Sequence, residues 1–305
     1  MLSICIPTYN YVVKDLIEDL IKQCEICNIN FEIIIIEDGS NKEYYEQNKK
    51  NLLQKKNVYH IILPENIGRS ATRNMLASKA KYEKILFIDC DSKLPDSQYI
   101  KNYIKNFNHN VVCGGTIYVK SQKTTDKILR YKYGVKREMI KASERNKNSN
   151  QSFATNNFLI SKNIFQKIQF REFLKKYGHE DSLFGYELNI NSYKIHHIDN
   201  PVIHVGLEDN KTFLKKTEDG ISNLILIQKN DKIDIKFTDE IKLIKAQKKI
   251  DKLKINKLIN NYFKKFKKKL INNLINTKNP SILLFDLYKL GYYNEKLLQQ
   301  KYNNN

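Results

Sequence analysis

Short apolar runs alternate with amphipathic stretches through the first hundred residues. "LSICIP" (2–7) is a compact apolar run ending on proline and predicts a buried strand. Val13, Leu16, Ile17, Leu20, Ile21 and Cys24 then recur at helical spacing within 12–27. "FEIIIIE" (31–37) predicts a second strand, and its unbroken apolar centre suits a sheet covered on both faces. A helix over about 41–54, a strand at "VYHIIL" (58–63), a helix over about 69–80 and a strand at "KILFID" (84–89) continue the alternation. Such a succession predicts a mainly parallel α/β sheet.

Beyond residue 110 the pattern loosens. "NVVCGGTIYVK" (110–120) predicts one strand, with Gly114-Gly115 allowing close backbone approach. Residues 121–152 are polar and Lys-rich without a clear period, which predicts a mobile loop or lid. "NNFLISKNIFQKI" (156–168) predicts a strand and a short helix. "YGHEDSLFGYELNINSYKIHHID" (177–199) opens on acids and turns helical, and "NPVIHVG" (200–206) is a short strand before a helix over about 211–229. From about 241 the character changes. Ile255, Leu258, Ile259, Tyr262, Phe266, Leu270 and Leu274 line one face of a helix, with lysines opposite. "PSILLFDLYKLGYYNEKLL" (280–298) is a second, more apolar helical piece. The expected organisation is an α/β domain over 1–230 and a basic amphipathic helical extension over 231–305.

Composition narrows the class. At 41% hydrophobic and 28% charged, the 305 residues are too apolar to be disordered throughout. No run approaches the ~18 apolar residues of a membrane span. "MLSICIPTYN" has no basic opening and meets a proline at once, so it reads as no secretory leader and the expected location is cytoplasmic. The five cysteines, at 5, 24, 27, 90 and 113, are odd in number and argue against a disulfide scaffold. Cys24 and Cys27 form a single C-x-x-C, readable as a redox or metal pair or as two small helix residues. Lys and Arg number 53 against 33 Asp and Glu, a formal charge of +20, which implies anionic partners: nucleic acid, acidic lipid or phosphate-bearing substrates. Residues 241–278 carry thirteen Lys against Asp251 alone, +12 of that total.

Parallel α/β sheets collect ligands beyond the carboxyl ends of their strands. The four predicted strands end in Pro7-Thr8-Tyr9-Asn10, Glu37-Asp38-Gly39-Ser40, Pro64-Glu65-Asn66-Ile67-Gly68-Arg69 and Asp89-Cys90-Asp91. Each could be an ordinary turn, but together they describe a site. Asp89 and Asp91 can approach one hard cation such as Mg2+ or Mn2+; the plainer alternative is a pair of solvated turn carboxylates or a cap for a helix near 96–107. Glu180-Asp181 is either a first-turn pair favoured by the helix dipole or a general base with its neighbour. His204 is a structural histidine or a nitrogen ligand. Neither G-x-x-x-x-G-K-[ST] nor G-x-G-x-x-G occurs.

"SICIPTYN", "IIIIEDGS", "ENIGRSATRN", "FIDCDS" and "GHEDSLFGYEL" occur in this order, and the set resembles glycosyltransferase family 2 over about residues 1–230. The resemblance implies the GT-A fold of nucleotide-diphospho-sugar transferases, a Rossmann-like mixed sheet flanked by helices. It implies a base pocket lined by Pro7, Thr8 and Tyr9, with Asp38 accepting a hydrogen bond from uracil or another base. Glu37 stands where the family often has a first aspartate. Arg73 would approach the nucleotide or its phosphates, Asp89 the ribose or donor sugar, and Asp91 the metal, Mn2+ or Mg2+. Asp181 matches the catalytic base, with Glu180 beside it, and His204 looks like an additional metal ligand. The implied activity is inverting transfer from a nucleotide-sugar, UDP-linked in expectation, to a saccharide or lipid-linked acceptor in surface polysaccharide or glycan assembly. Residues 241–278 would lie on an anionic membrane surface, making the protein peripheral on the inner face of the membrane. Two other readings stand beside it. One is a basic nucleic-acid-binding protein, although the charge is concentrated in one tail and no nucleic-acid motif occurs. The other is a sugar-phosphate nucleotidyltransferase, although its Gly-rich phosphate loop is missing.

Overall fold

Seven residues of β1 (Leu2–Thr8) and seven of β2 (Phe31–Glu37) lie parallel and in register, so Thr8 and Glu37 end side by side. Between them runs α1 (Lys14–Ile26), and after them α2 (Lys42–Leu52), β3 (Val58–Ile62), α3 (Arg69–Lys79) and β4 (Lys84–Ile88). The computed structural model describes residues 1–303, with side chains through residue 300. Next come β5 (Ser92–Lys93), α4 (Tyr99–Ile104), β6 (Val111–Cys113), β7 (Thr116–Ile117), α5 (Ile128–Arg137) and α6 (Ala142–Arg145). They are followed by β8 (Asn157–Ser161), α7 (Lys162–Lys167), α8 (Glu180–Ile190), β9 (His196–His197) and β10 (Val202–His204). The main sheet has the order β3-β2-β1-β4-β8-β6-β9, and a small sheet has the order β5-β10-β7. In the main sheet β8 runs antiparallel to both β4 and β6; the remaining pairs are parallel.

The continuous apolar runs are explained by coverage on both faces. Ile4, Ile6, Ile33 and Ile35 enter one buried cluster with Leu16, Ile17, Leu20 and Cys24 of α1. Their neighbours Cys5, Ile34 and Ile36 point the other way, to Leu76 and Ala77 of α3, Phe87, Phe158, Phe165 and Phe184. Each such Ile, fully buried, contributes about 1.5–3 kcal/mol relative to exposure.

The chain forms two compact units. The first comprises Met1–Val119, Val135–Lys175 and Glu180–Gly206. The second comprises Lys120–Gly134, Lys176–His179 and Leu207–Asn305. It contains α9 (Asn210–Gln228), α10 (Ile235–Glu240), α11 (Lys242–Lys252), α12 (Asn256–Asn276) and α13 (Ile282–Asn303). Its own core gathers Leu129, Phe213, Leu224, Ile244, Phe263, Leu274, Phe285, Tyr288 and Tyr293. Asp209 caps α9, its carboxylate accepting from the Lys211 and Thr212 amides, both at 2.9 Å.

Three local expectations are corrected. "NVVCGGTIYVK" is not one strand: β6 joins the main sheet and β7 the small one. The switch occurs at Gly114-Gly115, where Gly115 has φ +92° and a Cβ on Gly114 would lie 2.3 Å from the Asn200 carbonyl oxygen. The stretch 121–152 is largely helical, with α5 and α6 separated by short turns. Leu129 and Tyr133 of α5 pack with Phe213 and Phe285, contacts that no local period could announce. The lysine-rich tail is two helices, because Lys254 takes φ +58° between α11 and α12. On α12 the buried residues are Phe263 and Leu274, whereas Leu258, Tyr262 and Phe266 of the expected face are exposed.

Candidate active site

Backbone hydrogen bonds clasp the ends of β1 and β2. The Asp38 amide donates to the Thr8 carbonyl at 2.8 Å. Asn10, at φ +48°, donates its amide to Ser40 Oγ at 2.9 Å and accepts from the Asn41 amide through Oδ1 at 2.7 Å. Thr8 is buried, Pro7 half-buried, and Tyr9 leans outward with 54% of its surface exposed.

Glu37 and Asp38 divide their tasks. Glu37 is fully buried and accepts from Ser40 Oγ (2.5 Å), Asn48 Nδ2 (2.7 Å) and His60 Nε2 (3.2 Å). That is scaffolding: a buried carboxylate is tolerated because its oxygens are bonded. Asp38 turns the other way. Its Oδ1 accepts from the Ile67 amide at 2.7 Å and its Oδ2 from the Gly68 amide at 3.2 Å. Each oxygen keeps a second lone pair after these bonds. Gly39, at φ +67°, could carry no side chain, since a Cβ there would sit 2.4 Å from the Asn66 nitrogen.

Helix α3 begins at that loop and delivers Arg73. The side chain is 1% exposed. Its Nη2 donates to Asp89 Oδ1 at 2.6 Å, and its guanidinium lies 5.9 Å from the centre of the Phe170 ring. Asn74 fixes the Phe170 segment by donating to the Phe170 carbonyl (2.9 Å) and accepting from its amide (3.0 Å). Arg73 Nε and Nη1 are buried without a hydrogen-bond partner. Leaving charged donors unmet in a dry site is costly, so these two nitrogens suit a strong anionic acceptor.

Asp89 and Asp91 serve different partners. Asp89 faces Arg73, and Asp91 Oδ2 lies 3.0 Å from His204 Nε2. The small sheet causes the second meeting: β10 pairs antiparallel with β5, setting His204 opposite Ser92, next to Asp91. The Val205 amide also donates to the Asp91 carbonyl at 2.9 Å. Gly206 permits the approach, since a Cβ there would lie 2.5 Å from Asp91 Cβ. Cys90 packs toward the core cluster, and burial with its flanking carboxylates raises its thiol pKa, so it stays protonated.

Asp181 lies in the first turn of α8 and accepts from the Ser182 amide at 2.6 Å. Burial, then the neighbouring Glu180, push its pKa up to about 6; the Ser182 bonds and the Arg73 charge pull in the other direction. Glu180 is itself buried. The structure thus joins Arg73 to Asp89 and Asp91 to His204, and puts Asp181 in the field of Arg73. Two residues at the site escape sequence reasoning, Tyr118 and Glu138: Tyr118 Oη is hydrogen-bonded to the Glu138 carboxylate and lies 3.4 Å from His204 Nδ1. Glu138 falls in the stretch without a clear period, and nothing in the 110–120 run sets Tyr118 apart from its apolar neighbours.

A family model described as glycosyl transferase family 2 matches residues 3–177, more than half of the chain. The chain belongs to glycosyl transferase family 2. The matched region holds Pro7 through Asp91; Glu180, Asp181 and His204 lie beyond it. No curated protein matches the chain. Solved structures share the fold of this family 2 protein. The mannosyltransferase PcManGT of Pyrobaculum calidifontis, solved with GDP-Man and Mn2+, aligns at TM-score 0.54 and 13% identity, over 78% of this chain and 67% of its own. S. aureus TarS 1–349 with UDP-GlcNAc aligns at TM-score 0.50 and 16% identity, over 99% of this chain and 91% of its own. A longer TarS structure aligns at TM-score 0.50 and 19% identity, over 81% of this chain and 42% of its own. The architecture is the GT-A fold, a mixed and mostly parallel sheet with flanking helices and a helical C-terminal region.

The side chains at the ends of β4 and β10 include a donor set that fits a divalent cation. Asp91 offers an oxygen and His204 a nitrogen, 3.0 Å apart, a pairing that Mn2+ accepts readily and that leaves room for water and phosphate oxygens. Among the described residues no group of three or more His, Cys, Asp or Glu could hold a metal.

Proposed function

We propose that this glycosyltransferase moves a sugar, with inversion, from a nucleoside-diphospho-sugar to a hydroxyl of a saccharide or lipid-linked acceptor. The observation that carries the reading is Arg73: a buried guanidinium, tethered to Asp89, with two nitrogens still to be met by an anion. Pro7, Thr8 and Tyr9 border the base, with Tyr9 against the ring, and Asp38 reaches the base through its remaining lone pairs. Asp89 orients Arg73 and approaches the ribose or sugar. Asp181, its pKa raised to about 6, takes the proton of the acceptor hydroxyl, and Glu180 keeps that pKa high. The oxygen then attacks the anomeric carbon from the face opposite the diphosphate. A divalent cation, Mn2+ or Mg2+, held by Asp91 and His204 with Asp89 nearby, would neutralise charge on the leaving nucleoside diphosphate. The nucleotide-sugars bound to PcManGT and TarS support the donor class, and TarS supports UDP as the base-bearing half.

The test is a screen of nucleotide-sugars for Mn2+-dependent hydrolysis and transfer. Asp91→Ala is expected to abolish turnover, and Asp181→Asn to lower it by about 10³-fold while leaving donor binding intact. Turnover of Asp181→Asn at the wild-type rate would overturn the base assignment.

The lysine-rich tail supports a further part of the reading. Leu258, Tyr262 and Phe266 recur every fourth residue on α12 and are 53%, 58% and 43% exposed, among exposed lysines at 257, 264, 265, 268 and 269. Apolar and aromatic side chains flanked by lysines suit the interface of an anionic bilayer, where a lipid-linked acceptor would be met. Among the described residues, no helix is long and apolar enough to cross a membrane.

A further inference from the structure

The small sheet brings together more than Asp91 and His204. Strand β10 also pairs with β7, Ile203 opposite Ile117, so His204 and Tyr118 follow each other out of adjacent strands. Their rings meet edge to face with centres 5.8 Å apart at 66°. Tyr118 Oη lies 3.4 Å from His204 Nδ1, and the same hydroxyl is hydrogen-bonded to the Glu138 carboxylate, just past the end of α5. Tyr118, at the middle of this chain of contacts, is 6% exposed, so water screens little of its own two hydrogen bonds.

A phenol carries one hydrogen, and a carboxylate can only accept. With that hydrogen given to Glu138, the Tyr118 oxygen is an acceptor toward His204, and Nδ1 must supply the N–H. A neutral imidazole has one N–H, so Nε2 keeps its lone pair. That lone pair faces Asp91 Oδ2 at 3.0 Å. In that tautomer two acceptors face each other, and a divalent cation between them satisfies both.

We propose that Tyr118 and Glu138 are positioning residues that hold His204 as its Nδ1–H tautomer, so that His204 Nε2 and Asp91 Oδ2 form a two-toothed seat for the divalent cation. The proposal rests on the reading of Asp91 and His204 as that seat. Outer partners of a metal-bound histidine fix its tautomer and ring orientation, and their loss typically costs about 10–100-fold in metal affinity.

The test uses the full chain with Mn2+ titrated in excess UDP, and in excess GDP in parallel. It reads affinity by calorimetry and the 14N coupling of bound Mn2+ by pulsed electron paramagnetic resonance. Wild type is expected to show the 14N coupling, and His204→Ala to lose it. Tyr118→Phe keeps the ring and removes one oxygen; it should weaken Mn2+ binding about 10–100-fold while metal-free UDP binding is unchanged. Glu138→Ala should do the same, and Glu138→Gln, which retains a carbonyl acceptor, should lose less. If Tyr118→Phe and Glu138→Ala keep wild-type affinity and coupling while His204→Ala loses both, the positioning role is overturned and the cation seat stands. If His204→Ala changes nothing, or wild type binds no Mn2+, the seat falls and the proposal with it. Tyr118→Phe alone decides the matter if Glu138→Ala does not fold.

Discussion

Asp181 sits between opposing influences. Burial and Glu180 favour its protonated form, and Arg73 with the Ser182 bonds favour its charge. The balance raises its pKa from 3.8 to about 6, which has two measurable effects. A base must be unprotonated to work, so kcat/KM should fall as pH drops through about 6. Asp181→Asn should lower kcat/KM by about 10³-fold, within the usual range for a lost general base. Stability moves the other way. A carboxyl whose folded pKa is raised binds its proton more tightly when folded, so ionisation costs stability as pH rises from about 4 to about 6, and the full cost persists above that. Asn carries no such cost. Melting curves of Asp181→Asn should therefore coincide with wild type below the unfolded pKa of 3.8 and lie higher at pH 8. Coincident curves at both pH values would mean that the site does not penalise the charge. The residue types at this site could be picked out from the sequence, because Asp and Arg at strand ends are seldom idle. Their pairing could not: nothing local says that Arg73 meets Asp89, or that Asp38 spends a bond of each oxygen on the 67–68 amides.

At the scale of elements, periodicity worked wherever an element buries a whole face. β1 and β2 were legible as unbroken apolar runs because both their faces are buried, and α1 because its apolar residues recur at helical spacing. α5 was not, since its contacts come from Phe213 and Phe285, far away in sequence. α12 shows a finer failure. The helix was visible, but Phe263 rather than Phe266 faces the core, because α13 opens a place for it at Gly291. A Cβ on Gly291 would lie 2.2 Å from the Phe263 ring. Gly291→Ala is therefore a contest. Helix propensity favours Ala by about 1 kcal/mol, and overpacking an aromatic ring costs about 1–3 kcal/mol. The ring has little freedom to retreat, so a net loss of about 1–2 kcal/mol is expected by chemical denaturation. A stabilised variant would show that α12 and α13 separate easily.

For the whole molecule the informative quantity is charge. Of the net +20, the segment 241–278 carries thirteen lysines against one acid. The exposed Leu258, Tyr262 and Phe266 give that charge an apolar partner. Vesicles with acidic lipid should carry the full chain in flotation, neutral vesicles should not, and binding should weaken as salt shortens the screening length to about 8 Å at 0.15 M. Replacing the three apolar residues by Ser should reduce binding even at low salt, because their insertion is independent of charge. Flotation that ignores lipid charge would remove the electrostatic half of the account.

The alternation of strands and helices, the two-sided sheet and the strand ends that hold the acids were settled by the sequence itself. They depend on local spacing and on the rule that parallel strands present their carboxyl ends to ligands. Tertiary structure alone decided which groups meet: Asp91 with His204, His204 with Tyr118, Arg73 with Asp89, Phe263 with Gly291. Those encounters join residues as much as 113 positions apart. They are set by strand register and by packing against distant elements, for which a local pattern of apolar and polar residues holds no information.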